Sequence, residues 1–307
     1  AKILFTFIVL IAALFITGYF FARPIILSLG RLGLENSFKG ASVSIKDCGF
    51  QPNTLLFYNI EIREGKSYDI KIREARIVYD LKALLKKNIS RVSFNNVSFD
   101  AKPLKTFSAE GIDALNLNPY SGEIHIQKIS YDNLKTGEIK SMVEFRGNTI
   151  TMNPLNINFL GGSITGNLNI LISGPGVIKY DFNFKALDLN IRSFVEDFKL
   201  IDKFEMTGRL GGAVSLAGSG AAIDEINGTF FTDKNGGILV VKDARFLENI
   251  AKNSKQPLDI IVESFKNYNY NSGILKLYMD NGNLVMDINL NGERGKRSLT
   301  IVLHDFK

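Results

Sequence analysis

The 307-residue chain has no tryptophan, one cysteine and two histidines, and these scarcities close off several chemistries before any motif is read. A lone thiol, Cys48, can form neither an internal disulfide nor a cysteine-based metal cluster. With no histidine motif beside it, Cys48 reads as a small core residue. His125, in Glu123-Ile124-His125-Ile126-Gln127, falls on the polar side of an alternating strand, and His304 lies near the end of the last one. No His-Glu-x-x-His helix is present, so both read as surface residues. Gly161-Gly162-Ser163-Ile164-Thr165 begins like a nucleophile elbow but lacks its closing glycine and precedes a strand. Gly218-Ser219-Gly220-Ala221-Ala222-Ile223 begins like a dinucleotide loop but lacks the third glycine and the βαβ setting. Both read as turns. The expectation is a non-enzyme with no catalytic residue, no metal site and no cofactor. Charge of one sign is also thin: the net +6 is dispersed, and its densest cluster is Lys82, Lys86 and Lys87. That suits a solvated surface near anionic lipids, not nucleic-acid recognition, which wants a basic stripe on a recognisable module.

What is present begins with an uncharged apolar run from Ile3 to Ala22, a length that matches the roughly 20 residues needed to cross a bilayer core. A cleaved secretory signal is the competing reading, but its apolar region is about 7–15 residues and ends in a small-x-small site. Here Tyr19, Phe20 and Phe21 put bulky rings where cleavage wants small side chains, so the run reads as a retained anchor. Only Lys2 precedes it, which leaves the charge-bias rule little to compare. No second comparable run occurs, and the simplest topology is single-pass with the bulk on one side.

After Pro24, Ile26, Leu29, Leu32 and Leu34 are spaced for a short amphipathic helix over Ile25 to Phe38. From Ser42 the period becomes two: Val43 and Ile45, Ile60 and Ile62, Ile70 and Ile72 alternate with polar neighbours. Asp80 is placed to cap a brief helix reaching Lys87, and Val92, Phe94, Val97 and Phe99 resume strand character. Leu155, Ile157 and Phe159, then Ile164, Leu168, Ile170 and Ile172, predict a hairpin about Gly161-Gly162. Tyr180, Phe182 and Phe184 follow the turn at Gly174-Pro175-Gly176. A helix is expected near Arg192 to Phe198, strands near Thr207 to Leu216, Gly228 to Thr232 and Leu239 to Val241, and helices over Asp243 to Lys252 and Leu258 to Phe265. Three strands close the chain, Ile274 to Met279, Asn283 to Asn291 and Ser298 to His304, the first two joined by an Asn281-Gly282 hairpin. The expected fold is mainly β: an N-terminal transmembrane helix, then an elongated, twisted, groove-like antiparallel sheet with a few short helices.

The order of these features resembles the AsmA-like envelope proteins. The residues that carry the likeness are Gly49-Phe50-Gln51-Pro52 followed by Leu56-Phe57-Tyr58-Asn59-Ile60-Glu61-Ile62, with the Asp80 to Lys87 helix ahead of the Ile89 to Phe99 strand. The latter half is similar to the YdbH-like branch: Phe231, Gly236-Gly237-Ile238-Leu239, and Glu263-Ser264-Phe265-Lys266-Asn267-Tyr268-Asn269-Tyr270, which looks like that family's "aLxdFhY" element. Asn281-Gly282-Asn283-Leu284 and Leu290-Asn291-Gly292 are similar to the hairpin and strand end that follow it. The resemblance implies an anchor over 1–24, an AsmA-like β-region with juxtamembrane helix over 25–105, and a YdbH-like β-groove domain over 106–307. It also implies movement of phospholipid between inner and outer bacterial membranes, an inner-membrane location with the bulk in the periplasm, and a small outer-membrane lipoprotein as partner at the free end of the sheet.

The physical reading beside it is that so long a sheet has too few helices to cover it. An uncovered trough would solvate acyl chains at about 25 cal/mol per Å² by the same non-directional effect that buries side chains. Its expected lining is Leu155, Ile157, Phe159, Ile164, Leu168, Ile170, Ile172, Tyr180, Phe182, Phe184, Leu284, Met286, Ile288 and Leu290. Leu299, Ile301 and Leu303 form a last strand that reads either as a partner-binding edge or as an internally paired strand. A scaffold of the same type, its core closed and a protein client at its edge, is the alternative.

Overall fold

The computed structural model describes residues 22–303 apart from 39, 66–67, 101–105, 174–177, 198, 221 and 255–256. The 3–22 run and His304 therefore lie outside the described residues, save for Ala22, as do Gly174-Pro175-Gly176. No helix among the described residues is long and apolar enough to cross a membrane. The chain is mainly β and its ladders are antiparallel, with two compact units, one reaching Pro119 and the other starting at Tyr120.

The first unit places β1 (Ser42–Gln51), β2 (Thr54–Glu64), β3 (Tyr68–Val78), β4 (Ile89–Asp100) and β5 (Phe107–Leu117) side by side in chain order. Period two does not run unbroken along these strands. Cross-strand partners stack Val43, Ile62, Ile70, Phe99 and Phe107 in one row and Ile45, Ile60, Ile72, Val97 and Ala109 in the next. The two rows after those are Cys48, Phe57, Ala75, Phe94 and Ile112, then Phe50, Leu55, Ile77, Val92 and Ala114. Every strand thus carries an apolar–x–apolar–x–x–apolar–x–apolar pattern, and the slip falls at the same level in all of them. Asn59 and Asn96 sit at it with φ of 51°, the left-handed conformation that asparagine tolerates best among residues with a Cβ. A slip in one strand alone would turn half its side chains out of the sheet face.

Helix α1 (residues 22–37) lies on this face. Ile26, Leu27, Leu34 and the following Phe38 pack into the cluster of Val43, Cys48, Phe57, Ile60, Ile62 and Ala75. Arg23 pairs with Asp47, and a Cβ added at Gly30 would stand 2.8 Å from Phe57 Cε1, so the helix backbone rides directly over that ring. Of the apolar residues whose spacing predicted the helix, Leu29 and Leu32 are 63% and 51% exposed, while Leu27 and Phe38 join Ile26 and Leu34 on the sheet. Cys48 is buried, and burial pushes its thiol pKa up, as expected of a core residue. Asp80 Oδ1 accepts a 2.9 Å hydrogen bond from the Ala83 N–H and so caps α2 (Leu81–Leu85).

The second unit holds a sheet in the order β6 (Ser121–Ile126), β8 (Leu134–Arg146), β9 (Thr149–Phe159), β10 (Gly162–Ile172), β11 (Ile178–Asn190), β13 (Arg209–Ser219), β14 (Ala222–Thr232), β17 (Ser272–Asp280), β18 (Asn283–Gly292) and β19 (Gly295–Leu303), with β7 (Ile129–Tyr131) paired to β8. The Asn281-Gly282 turn has φ of 50° and 79°, the primed turn its sequence demands. A smaller sheet of β12 (Phe204–Met206), β15 (Gly237–Val241) and β16 (Tyr268–Tyr270) joins α4 (Ala244–Ser254) and α5 (Leu258–Phe265) in one cluster around Tyr268 and Tyr270. Helix α3 (Ile191–Asp197) starts at Asn190, whose Oδ1 accepts from the Arg192 N–H at 2.9 Å.

Candidate functional site

Register alone assembles one face of the large second-unit sheet. Ile139, Ile157, Ile164, Ala186, Gly212, Phe230, Leu275, Ile288 and Leu299 form one unbroken cross-strand row from β8 to β19. The adjacent row runs Ser141, Leu155, Gly166, Phe184, Val214, Gly228, Leu277, Met286 and Ile301. Beyond it come Val143, Met152, Leu168, Phe182, Leu216 and Ile226, then Phe145, Ile150, Ile170, Tyr180 and Gly218. Leu284 pairs with Leu303, and Ile172 with Ile178. The residues named from sequence as a lining therefore share one sheet face with the last-strand trio Leu299, Ile301 and Leu303.

Coverage differs along that face. At one end Leu290, 4% exposed, belongs to the cap cluster with Leu239, Val241, Leu247 and Phe265, and Ile288 packs against it. Leu290 and Ile288 are thus closed in rather than open. In the middle, Ile164, Ala186, Leu189, Val214 and Phe230 form a buried floor whose flanking partners, Ile157, Phe159, Phe184, Leu210, Ile226, Leu275 and Leu277, all come from strands of the same sheet. Among the described residues, no helix and no strand of the small sheet enters that cluster. Leu168, Ile170, Phe182 and Met286 stay half-buried, and Ile172 is exposed.

Glycines shape the floor. A Cβ at Gly212 would come within 2.2 Å of Thr229 O and 2.6 Å of Phe230 Cα, so the β13 backbone closes on β14 where no side chain fits. Tyr180 lies over Gly218 and donates its hydroxyl to Ala222 O at 2.8 Å, which satisfies the one hydrogen-bonding tip in the lining. Burial raises its pKa, keeping the phenol neutral.

In its middle strands, β10 to β14, the opposite face carries polar rows. Thr165, Lys185, Ala213 and Thr229 form one of its rows, and Asn167, Asn183, Ser215 and Asn227 the next. A recess of about 890 Å³ is lined by these residues and Phe231, together with Gly166, Phe184, Gly212, Val214 and Gly228 from the rows of the apolar face. His125 also belongs to the polar side, opposite Lys140.

No family model, curated protein or solved structure matches the chain. The contribution of β8 to the face, Ile139, Val143 and Phe145, went unread because Ser141 interrupts its apolar series, although Lys140, Glu144 and Arg146 alternate with it as a half-wet strand requires. β12 and β16 are three-residue strands, too short to carry a period. Among the described residues no group of three or more His, Cys, Asp or Glu side chains is placed to hold a metal.

Proposed function

We propose that the protein is a non-enzymatic, membrane-anchored envelope protein that holds phospholipid acyl chains along the apolar face of its second unit, for transfer between inner and outer membranes. One observation carries the reading: among the described residues, the buried cluster on that face from β9 to β17 is flanked only by side chains of the same sheet, and those flanking Leu, Ile and Phe side chains remain partly accessible. A sheet face with no second layer normally finds one, because leaving apolar area in water costs about 25 cal/mol per Å². An acyl chain supplies that layer without directional bonds and can slide along it. The uncharged Ile3–Ala22 run supports an anchor in the inner membrane with the bulk in the periplasm, and the order of motifs supports an AsmA-like, YdbH-like relationship and an elongated groove. β19, which pairs with β18 alone in the sheet order, is the strand on which a small lipoprotein would add.

The floor residues buried below a tenth exposure favour the second reading, a scaffold whose core is closed. Photoreactive residues at Ile170, Phe182 and Met286 separate the two in cells. Lipid adducts at these positions, and none at Asp181 or Asn183 on the polar face, support the lipid reading. No lipid adduct at any of the three overturns it in favour of the scaffold.

A further inference from the structure

The capped end of the apolar face terminates in charge. The β18–β19 turn and the start of β19 read Glu293-Arg294-Gly295-Lys296-Arg297, and Arg294 and Arg297 line a recess of about 410 Å³ with Asp259, Ile260, Glu263 and Ser264 of α5. Two arginines, two acidic residues and a serine thus share the lining of one recess, yet no ion pair within 4.0 Å joins the basic and acidic sets among the described residues. Arg297 is fixed. Its Nη1 donates to Lys296 O at 3.0 Å, its guanidinium carbon lies 5.0 Å from the centre of the Tyr268 ring, and its Nε is buried without a partner. Tyr268 in turn donates its hydroxyl to Gly295 O at 2.6 Å and holds the turn down. In register Arg297 stands opposite Leu290, on the face that carries Leu299 and Ile301. Ile260, 51% exposed, brings an apolar side chain to the rim.

The geometry points to a subsite for a zwitterionic phosphoester head group of the phosphoethanolamine kind, its phosphate on Arg294 and Arg297 and its ammonium on Asp259 and Glu263. A simple anion entering the recess meets two carboxylates, and a simple cation meets two guanidiniums. A group that carries both charges a few bonds apart answers both walls at once, and guanidinium to phosphate is the stronger, charge-assisted contact. The subsite deepens the acyl-chain reading and rests on it: chains lie along the open rows short of the cap, and the head stops at the capped end, where β19 carries Arg297 beside Leu299 and Ile301.

The test exchanges the full chain in detergent with equimolar phosphatidylethanolamine and phosphatidylglycerol, re-isolates it and measures retained lipid by mass spectrometry. Wild type retains the ethanolamine lipid by about fivefold over the glycerol lipid. Arg294→Gln and Glu263→Gln, both at exposed positions and checked by thermal melts, each lower that ratio at least about twofold, and Arg294→Gln with Arg297→Gln brings it to parity at unchanged total lipid. Soluble glycerophosphoethanolamine separates the sources: if it abolishes the selectivity the recess reads the head group alone, and if it does not, the recess reads the intact lipid; either result supports the subsite. Parity in wild type, or a wild-type ratio in the variants, overturns the subsite and leaves the acyl-chain reading standing. No retained lipid in wild type overturns both.

Discussion

Removing one oxygen from the cap tests how it is held. Tyr268 is wholly buried, and its hydroxyl lies 2.6 Å from Gly295 O and 3.3 Å from Leu290 O. Tyr268→Phe deletes that donor and keeps the ring. The lost hydrogen bond contributes about 0.5–1.5 kcal/mol net, and the carbonyl left short of a partner adds to the cost, so about 2 kcal/mol is expected. For a unit the size of Tyr120–Lys307, each kcal/mol moves the melting temperature by about 2–4 °C, giving a fall of about 4–8 °C. Tyr268→Leu falls further, because it also removes the face beneath Arg297, a cation–π contact of about 0.5–2 kcal/mol. Thermal melts of the full chain followed by circular dichroism rank the three proteins. Lipid exchange on the same samples adds a second axis, with head-group selectivity kept in Tyr268→Phe and reduced in Tyr268→Leu. A Tyr268→Phe protein melting within about 1 °C of wild type would refute the claim that this hydroxyl ties the turn to the cap.

Glutamate at Ile170 or Phe182, both half-buried, should abolish lipid retention while costing about 1 kcal/mol or less, whereas Val214→Glu, at a position 5% exposed, should yield no soluble folded protein; comparable losses of stability at all three would mean the lining is ordinary core. Gly212→Val, whose Cβ has no room against Thr229 O, is expected to cost about 3 kcal/mol or more in urea unfolding. Tyr270 is pushed well above the ordinary tyrosine range, first by burial and then by the Asp233 charge. Its folded pKa exceeds its unfolded value near 10, so this contribution to stability is complete below about pH 10 and drains away as pH rises toward the folded value. Tyr270→Phe should flatten the alkaline fall seen by denaturant titration, and an equally steep fall in the variant would contradict the assignment. Gly282→Ala, at φ of 79°, should cost about 1 kcal/mol through turn strain alone, with lipid retention unchanged.

Strand order was legible where the alternation is clean. Leu155, Ile157 and Phe159 against Ile164, and Tyr180, Phe182 and Phe184 beyond, needed only period two and the Gly161 and Asn281-Gly282 turns, and the ladders pair them accordingly. Short helices were legible from caps and spacing at Asp80, Arg192 and Leu258. The spacing of Ile26, Leu29, Leu32 and Leu34 predicts α1 but not the face it buries; it is Gly30, with no side chain, that lets the helix settle on Phe57 and leaves Leu29 and Leu32 outward. The cap was missed for another reason. Tyr268 and Tyr270 carry a large share of it, and a polar-tipped aromatic in a three-residue strand looks like loop until its hydroxyl finds a backbone carbonyl such as Gly295 O.

The coordinated slip in the first unit says something about how these sheets stay specific. Fixing one strand's register in a half-wet sheet normally depends on turns at its ends. Here Asn59 and Asn96, in β2 and β4, place a left-handed residue at one level, and the strands on either side step with them. A neighbour shifted by one residue would meet the slip out of phase and set Ile72 or Val97 against a polar partner, so the register is held along the strands as well as at their ends. The second unit uses glycine for the same end: Gly166, Gly212 and Gly228 each oppose a larger partner, Phe184, Phe230 and Val214. A face whose register is fixed from within does not need a second protein layer to hold its strands in place. On the proposed lipid reading, that leaves its apolar rows for an acyl chain.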